Sequence, residues 1–98
     1  MSYSLSVRPE AEEDIREAYS YYQQCRAGLG NDFLESVENG FNRILTNPKI
    51  YRETHNSLRR LFIKRFPFGI FYKIIDTKIL VFAVIHASRD PSLWQQRS

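Results

Sequence analysis

The apolar positions of this chain change period partway along. After a short alternating stretch, Tyr3 to Val7, the residues Ala11, Ile15, Ala18 and Tyr22 recur at spacings of 4, 3 and 4. That is the single stripe of an amphipathic helix. Pro9 suits the first helical position, where its missing N–H is not needed. Glu10, Glu12, Glu13 and Asp14 crowd the first turn and complement the helix dipole. The pattern predicts a helix from Pro9 to Gln24, with Glu12 and Arg16 as an i,i+4 pair. Gly28-Leu29-Gly30 forms a link, and a second stripe (Phe33, Leu34, Val37, Phe41, Ile44, Leu45) runs to Thr46, stopped by Asn47-Pro48. Gly40 sits inside that helix at a cost of about 1 kcal/mol relative to Ala. A close approach of another backbone would compensate, so the two helices are expected to form a tight αα-hairpin. Lys49 to Ser57 reads as a polar connection.

From Leu58 to His86 the period shortens. Three runs, Leu61 to Phe66, Ile70 to Ile75 and Ile79 to Ile85, are rich in the β-branched and aromatic residues of strands. Two breaks separate them. One is Phe66-Pro67-Phe68-Gly69, where Pro presets a turn corner and Gly is expected to supply φ > 0. The other is Asp76-Thr77-Lys78, which reads as a hairpin. The predicted order is β-α-α-β-β-β: a single α+β domain, residues 1–98, with a helical hairpin packed on a small, mainly antiparallel sheet. The last strand is apolar at both parities, with Ile79, Val81, Ala83 and Ile85 on one face and Leu80, Phe82 and Val84 on the other. Such a sheet needs two covers, and two helices supply one, so an exposed apolar face is expected. Beyond the strands, Trp94 is the only anchor of a final short helical turn.

Composition narrows the classes. With 98 residues, 43% hydrophobic and 26% charged, the chain is an ordinary globular domain. No apolar run approaches the roughly 18 residues of a membrane span. The N-terminus lacks a signal peptide's apolar core, and the single Cys25 leaves no internal disulfide, so a cytoplasmic location is expected. Charge is more informative than its total of +3. Residues 1–48 hold 4 Lys/Arg against 8 Asp/Glu, and residues 49–98 hold 10 against 3. The basic half coincides with the strands, which suits either an anionic partner or the solvation of a sheet edge.

Few residues offer chemistry. Cys25 lies far in sequence from His55 and His86, so nucleophilic catalysis has little support. No metal-ligand spacing or phosphate loop is present, and no metal or cofactor is expected. That leaves cations around the strands: Arg60 and Lys64 at one parity, Arg59 and Arg65 at the other, and His86 and Arg89 after the last strand. A His and an Arg three residues apart could act as a proton carrier and a phosphate clamp. Locally satisfied surface residues are the plainer alternative.

A set of short matches spans nearly the whole chain: Ala11-x-x-Asp14-Ile15, Tyr21-Tyr22, Gly28-Leu29-Gly30-x-x-Phe33, Asn47-Pro48-x-x-Tyr51, Arg59-Arg60, Arg65-Phe66-Pro67-Phe68-x-Ile70-x-Tyr72 and His86-x-x-Arg89-Asp90-Pro91-x-x-Trp94. In this the sequence resembles the ParE branch of the RelE/ParE toxins of type II toxin–antitoxin modules, whose fold is the β-α-α-β-β-β arrangement. The resemblance implies a plasmid-stabilisation type of toxin, held in a hetero-oligomer by a ParD-like antitoxin. It implies either inhibition of DNA gyrase or, as in RelE-like members, ribosome-dependent cleavage of mRNA. Arg60, Lys64, His86 and Arg89 would be the residues of an RNase. However, Gly69 stands where that branch has an Arg, and no Tyr or His follows Arg89. Gyrase inhibition without enzymatic activity is therefore the expectation, with Arg60, Lys64, Arg65, His86 and Arg89 as target contacts. Phe66, Phe68, Phe71 and Ile75 are the expected antitoxin contacts on the open face. A non-toxic module docking nucleic acid on exposed aromatics is the third reading.

Overall fold

A computed structural model describes residues 2–98. The first strand, β1 (Ser4–Val7), leads through Arg8 into α1 (Pro9–Cys25), and α2 (Leu29–Thr46) returns. Between them Gly28 takes φ 90°, and the Gln23 side-chain oxygen accepts the backbone N–H groups of Gly28 (3.2 Å) and Gly30 (3.0 Å). The helices are in close contact at Gly30, where a Cβ would lie 2.8 Å from the Tyr19 carbonyl oxygen. Gly40 has a different role from the one expected. It faces the sheet, and a Cβ there would lie 2.7 Å from Ile70 Cδ1. The close approach is thus of sheet side chains to α2. The predicted pair of Glu12 with Arg16 is likewise replaced by Glu13 with Arg16.

The sheet has order β1-β5-β4-β3-β2, with β2 (Arg52–Glu53), β3 (Arg59–Phe62), β4 (Phe68–Ile75) and β5 (Lys78–His86). The meander β3-β4-β5 is antiparallel, and β1 joins β5 in parallel from Ser4 opposite Lys78 to Val7 opposite Val81. β2 falls within the stretch expected as plain connection, after a 3-10 turn at Pro48–Ile50. Arg59 holds that segment, donating to the Lys49 and Tyr51 carbonyls at 2.9 and 2.8 Å. The buried Tyr72 hydroxyl donates to the Pro48 carbonyl at 2.6 Å. The hairpin at Asp76 is as predicted, Asp76 taking φ 57°. The other turn is displaced: Arg65 has the positive φ, 72°, whereas Gly69 lies within β4 opposite Phe62. β3 accordingly ends at Phe62, and Ile63 to Pro67 form the loop.

Strict alternation fails on β5. Phe71 pairs with Ala83 but Tyr72 pairs with Val81, so Phe82 is the extra residue of a β-bulge. Beyond it every side chain changes face. Val84 joins Ile79 and Val81 against the helices, while Ala83 and Ile85 join Phe82 on the opposite face. That second face is covered. The terminal helix α3 (Ser92–Gln95) lays Trp94 on Phe71, rings stacked at 4.4 Å and 19°, and Leu58 is buried in the same cluster. The expected open apolar face is therefore absent. Phe71 is only 4% exposed. Phe66 and Phe68 fold into the helix side, with rings 5.5 and 5.0 Å from Phe33. Of the four residues expected to lie open for an antitoxin, only Ile75 (49% exposed) does so.

Candidate functional site

Because β1 pairs with β5 only as far as Val81, the outer edge of β5 is left without a strand beyond the bulge. Two side chains take its place. Asp14, from the first turns of α1, accepts the Val84 backbone N–H at 3.0 Å. Arg97, from the end of the chain, donates to both Asp14 carboxylate oxygens (2.5 and 3.1 Å) and to the Phe82 carbonyl (3.2 Å). The Asp14 carboxylate raises the Arg97 guanidinium further above its already high value, chiefly through these hydrogen bonds. The pair thus seals the strand edge at the bulge and ties α1, β5 and the C-terminal turn together. Sequence reasoning missed it, since 83 residues separate the partners.

Beside this seal lies a groove of about 690 Å³. Glu10, Glu13 and Glu17 of α1 form one wall, Phe68 and Val84 contribute apolar surface, and His86 and Arg89 stand on the strand side. The His86 ring packs edge-on against Phe68 at 5.3 Å, and its Nδ1 accepts the Ser88 backbone N–H at 3.0 Å. In the neutral ring the proton is then on Nε2. Arg89 is exposed, and Asp90 does not pair with it; the Asp90 carboxylate instead accepts the Ser92 N–H at 3.0 Å.

The other predicted cations lie elsewhere. Lys64 and Arg65 border a shallow depression with Asp32 and Ser36, where Arg65 reaches Asp32 at 3.5 Å and the Ser36 hydroxyl donates to the Lys64 carbonyl. Arg60 is on the face away from the helices, its guanidinium 4.6 Å from the centre of the exposed Phe62 ring. The shared parity predicted for Arg60 and Lys64 is lost because β3 stops between them. The five expected target contacts thus occupy three places: Arg60 on the outer sheet face, Lys64 and Arg65 at the turn, His86 and Arg89 at the groove. Among the described residues no cluster of His, Cys, Asp and Glu is arranged to hold a metal ion.

This helical hairpin on a five-stranded mixed sheet is a fold shared with bacterial toxins. It superposes on a chain of the chromosomal ParDE system of P. aeruginosa with a TM-score of 0.70, at 17% identity, covering 89% of this chain and 98% of that one. It matches a mutant of the E. coli toxin RelE in the free state equally well, with a TM-score of 0.70 and 17% identity over 99% and 94% of the two chains. Likenesses at such identity establish the fold alone. The sequence is more specific: residues 5–91 match the family described as ParE toxin of type II toxin–antitoxin system, parDE. The chain belongs to that family and is a type II toxin. Toxin ParE2 of Mycobacterium tuberculosis is 27% identical over 96 residues, 94% of this chain and 89% of the relative.

Proposed function

We propose that this toxin acts by binding and inhibiting DNA gyrase in the cytoplasm, without cutting RNA, and that a ParD-like antitoxin neutralises it. The observation that carries the reading is the dispersal of its cations. Cleavage by 2′-hydroxyl attack requires a base, an acid and charge stabilisation within hydrogen-bond reach of one substrate. Here His86 and Arg89 flank a groove walled by carboxylates, whereas Arg60 sits on the other sheet face. The His86 imidazole at that groove has its Nδ1 lone pair engaged by the Ser88 N–H. Gly69 at the start of the middle strand adds no side chain. An inhibitor that works by occupying a protein surface needs no such assembly.

The antitoxin partner is supported by the family and by the neighbours. The P. aeruginosa structure is of a ParDE system, and the intact E. coli RelBE toxin–antitoxin complex matches with a TM-score of 0.65 at 19% identity. The test of target is supercoiling of relaxed plasmid by purified gyrase with increasing toxin, alongside translation of a defined mRNA on purified ribosomes. Loss of supercoiling with intact mRNA is expected. Cleavage of the mRNA on ribosomes with gyrase unaffected would replace this reading with the RelE type.

A further inference from the structure

Antiparallel pairing of β2 with β3 places Arg52 directly opposite Arg60. Residues opposite one another in such a pair project from the same face, and like charges there are destabilising. Neither arginine forms an ion pair among the described residues. The neighbouring cross-strand position shows the ordinary remedy: Glu53 lies opposite Arg59, and the two are 3.8 Å apart. Beside the unpaired arginines Phe62 is 48% exposed, and across from it Gly69 leaves the sheet bare of a side chain. A Cβ at Gly69 would meet Phe71 Cε1 at 3.2 Å and Arg60 Cγ at 3.4 Å, so the Arg60 and Phe62 side chains lie close over the glycine on this face.

We infer that Arg52 and Arg60, with Phe62 beside them, form the docking point for an acidic segment of the protein target. A carboxylate would lie between the two guanidinium groups and an apolar side chain of the same segment on Phe62. Two arginines at facing positions on one sheet face, neither of them ion-paired among the described residues, match a carboxylate in charge, and each offers the forked donors that carboxylates take. A nucleic-acid strand is a poorer match. It requires a track of free cations with an open aromatic face for stacking. Here the neighbouring Arg59 is committed to Glu53 and two carbonyls, and Arg65 to Asp32, so no such track of free cations flanks the pair. The place is compact and suited to one or two acidic side chains. It also explains a locally unfavourable pair, since an anion between the arginines removes the repulsion that the free toxin tolerates.

This inference rests on gyrase being the target. Its test is the supercoiling assay with wild type, Arg52→Glu, Arg60→Glu and Arg60→Gln, together with the thermal midpoint of each. Arg52→Glu puts an opposite charge across from Arg60. It is therefore expected to raise the midpoint while raising the half-inhibiting toxin concentration tenfold or more. Arg60→Glu and Arg60→Gln should weaken inhibition in the same direction, the first more than the second. Inhibition by wild type that persists unchanged in all three folded variants would overturn the docking point and leave the gyrase reading intact. Failure of wild type to inhibit would overturn both. A labelled single-stranded RNA that binds wild type but not Arg60→Glu, with gyrase inhibition retained, would mark the occupant as nucleic acid and overturn the inference.

Discussion

Replacing Trp94 by Ala tests whether the outer sheet face is closed by the chain's own C-terminus. The indole is 8% exposed and stacked on Phe71, with Leu58, Phe82, Ala83 and Ile85 buried in the same cluster. Truncating a buried Trp to Ala costs about 3–5 kcal/mol, and the cost is lower where the site can collapse. Trp94 stands in a helix of only four residues, which can shift to fill part of the space, so the low end of that range, about 3 kcal/mol, is expected. A lost ring stack of about 1 kcal/mol is included in that figure. For a domain of this size each kcal/mol moves the thermal midpoint by roughly 4–8 °C, so a fall of roughly 12–24 °C should result. Urea unfolding should show a lower midpoint at an unchanged slope if the native state keeps its compactness. Binding of a hydrophobic dye should rise as Phe71 and Ile85 become accessible. A loss below about 0.5 kcal/mol, the range of ordinary surface substitutions, would refute the closure and restore an open face.

Two further perturbations probe the interior. A double-mutant cycle on Asp14→Ala and Arg97→Ala, read by urea unfolding, should give a coupling energy of about 1–3 kcal/mol, because the partners share two hydrogen bonds and the seal of one strand edge; a coupling near zero would leave the pair an ornament of the surface. Burial holds the Tyr72 phenol well above its usual range, whereas in the unfolded chain it ionises near pH 10. Between those two values the folded state binds more protons than the unfolded, so stability present below about pH 10 should decline as pH rises further, and the decline should be shallower in Tyr72→Phe when urea midpoints are compared at about pH 9 and 11.

The helices were legible because their stripes follow one period and their ends carry Pro, acidic residues and Gly. α1 and α2 stop within a residue of their expected C-terminal ends, although α2 starts at Leu29, inside the stretch expected as the link. The strands were legible in existence but not in facing. When both faces of a strand are buried, alternation loses its information, and nothing in Ile79 to Ile85 marks Phe82 as the bulged residue. β2 escaped notice because two residues carry no period. The turn before β4 was misplaced because Pro67 and Gly69 are the usual turn residues, whereas the positive φ falls on Arg65, and Phe66 and Phe68 just after it pack on Phe33. Arg52 could not be named as a partner of Arg60 without β2. The nearness of His86 and Arg89 followed from their spacing. The seal by Asp14 and Arg97 is a contact between the two ends of the chain, for which local sequence has no signal.

The bulge also bears on what the toxin can do. With unbroken alternation from Ile79, which faces the helices, His86 would project from the outer face, the same face as Arg60 and Phe62. An imidazole, an arginine and an exposed aromatic ring would then share one surface, close to the set that acid–base cleavage of RNA requires. The extra residue at Phe82 turns Val84 and His86 to the helix side, where His86 packs on Phe68 beside carboxylates of α1. The register is not free to revert. Asp14 holds the Val84 N–H and Arg97 holds the Phe82 carbonyl, so a long-range, largely buried ion pair fixes the shift in place. A single added residue in β5 thus separates His86 from Arg60. The outer face keeps its arginines and its aromatic ring, with His86 turned away from them.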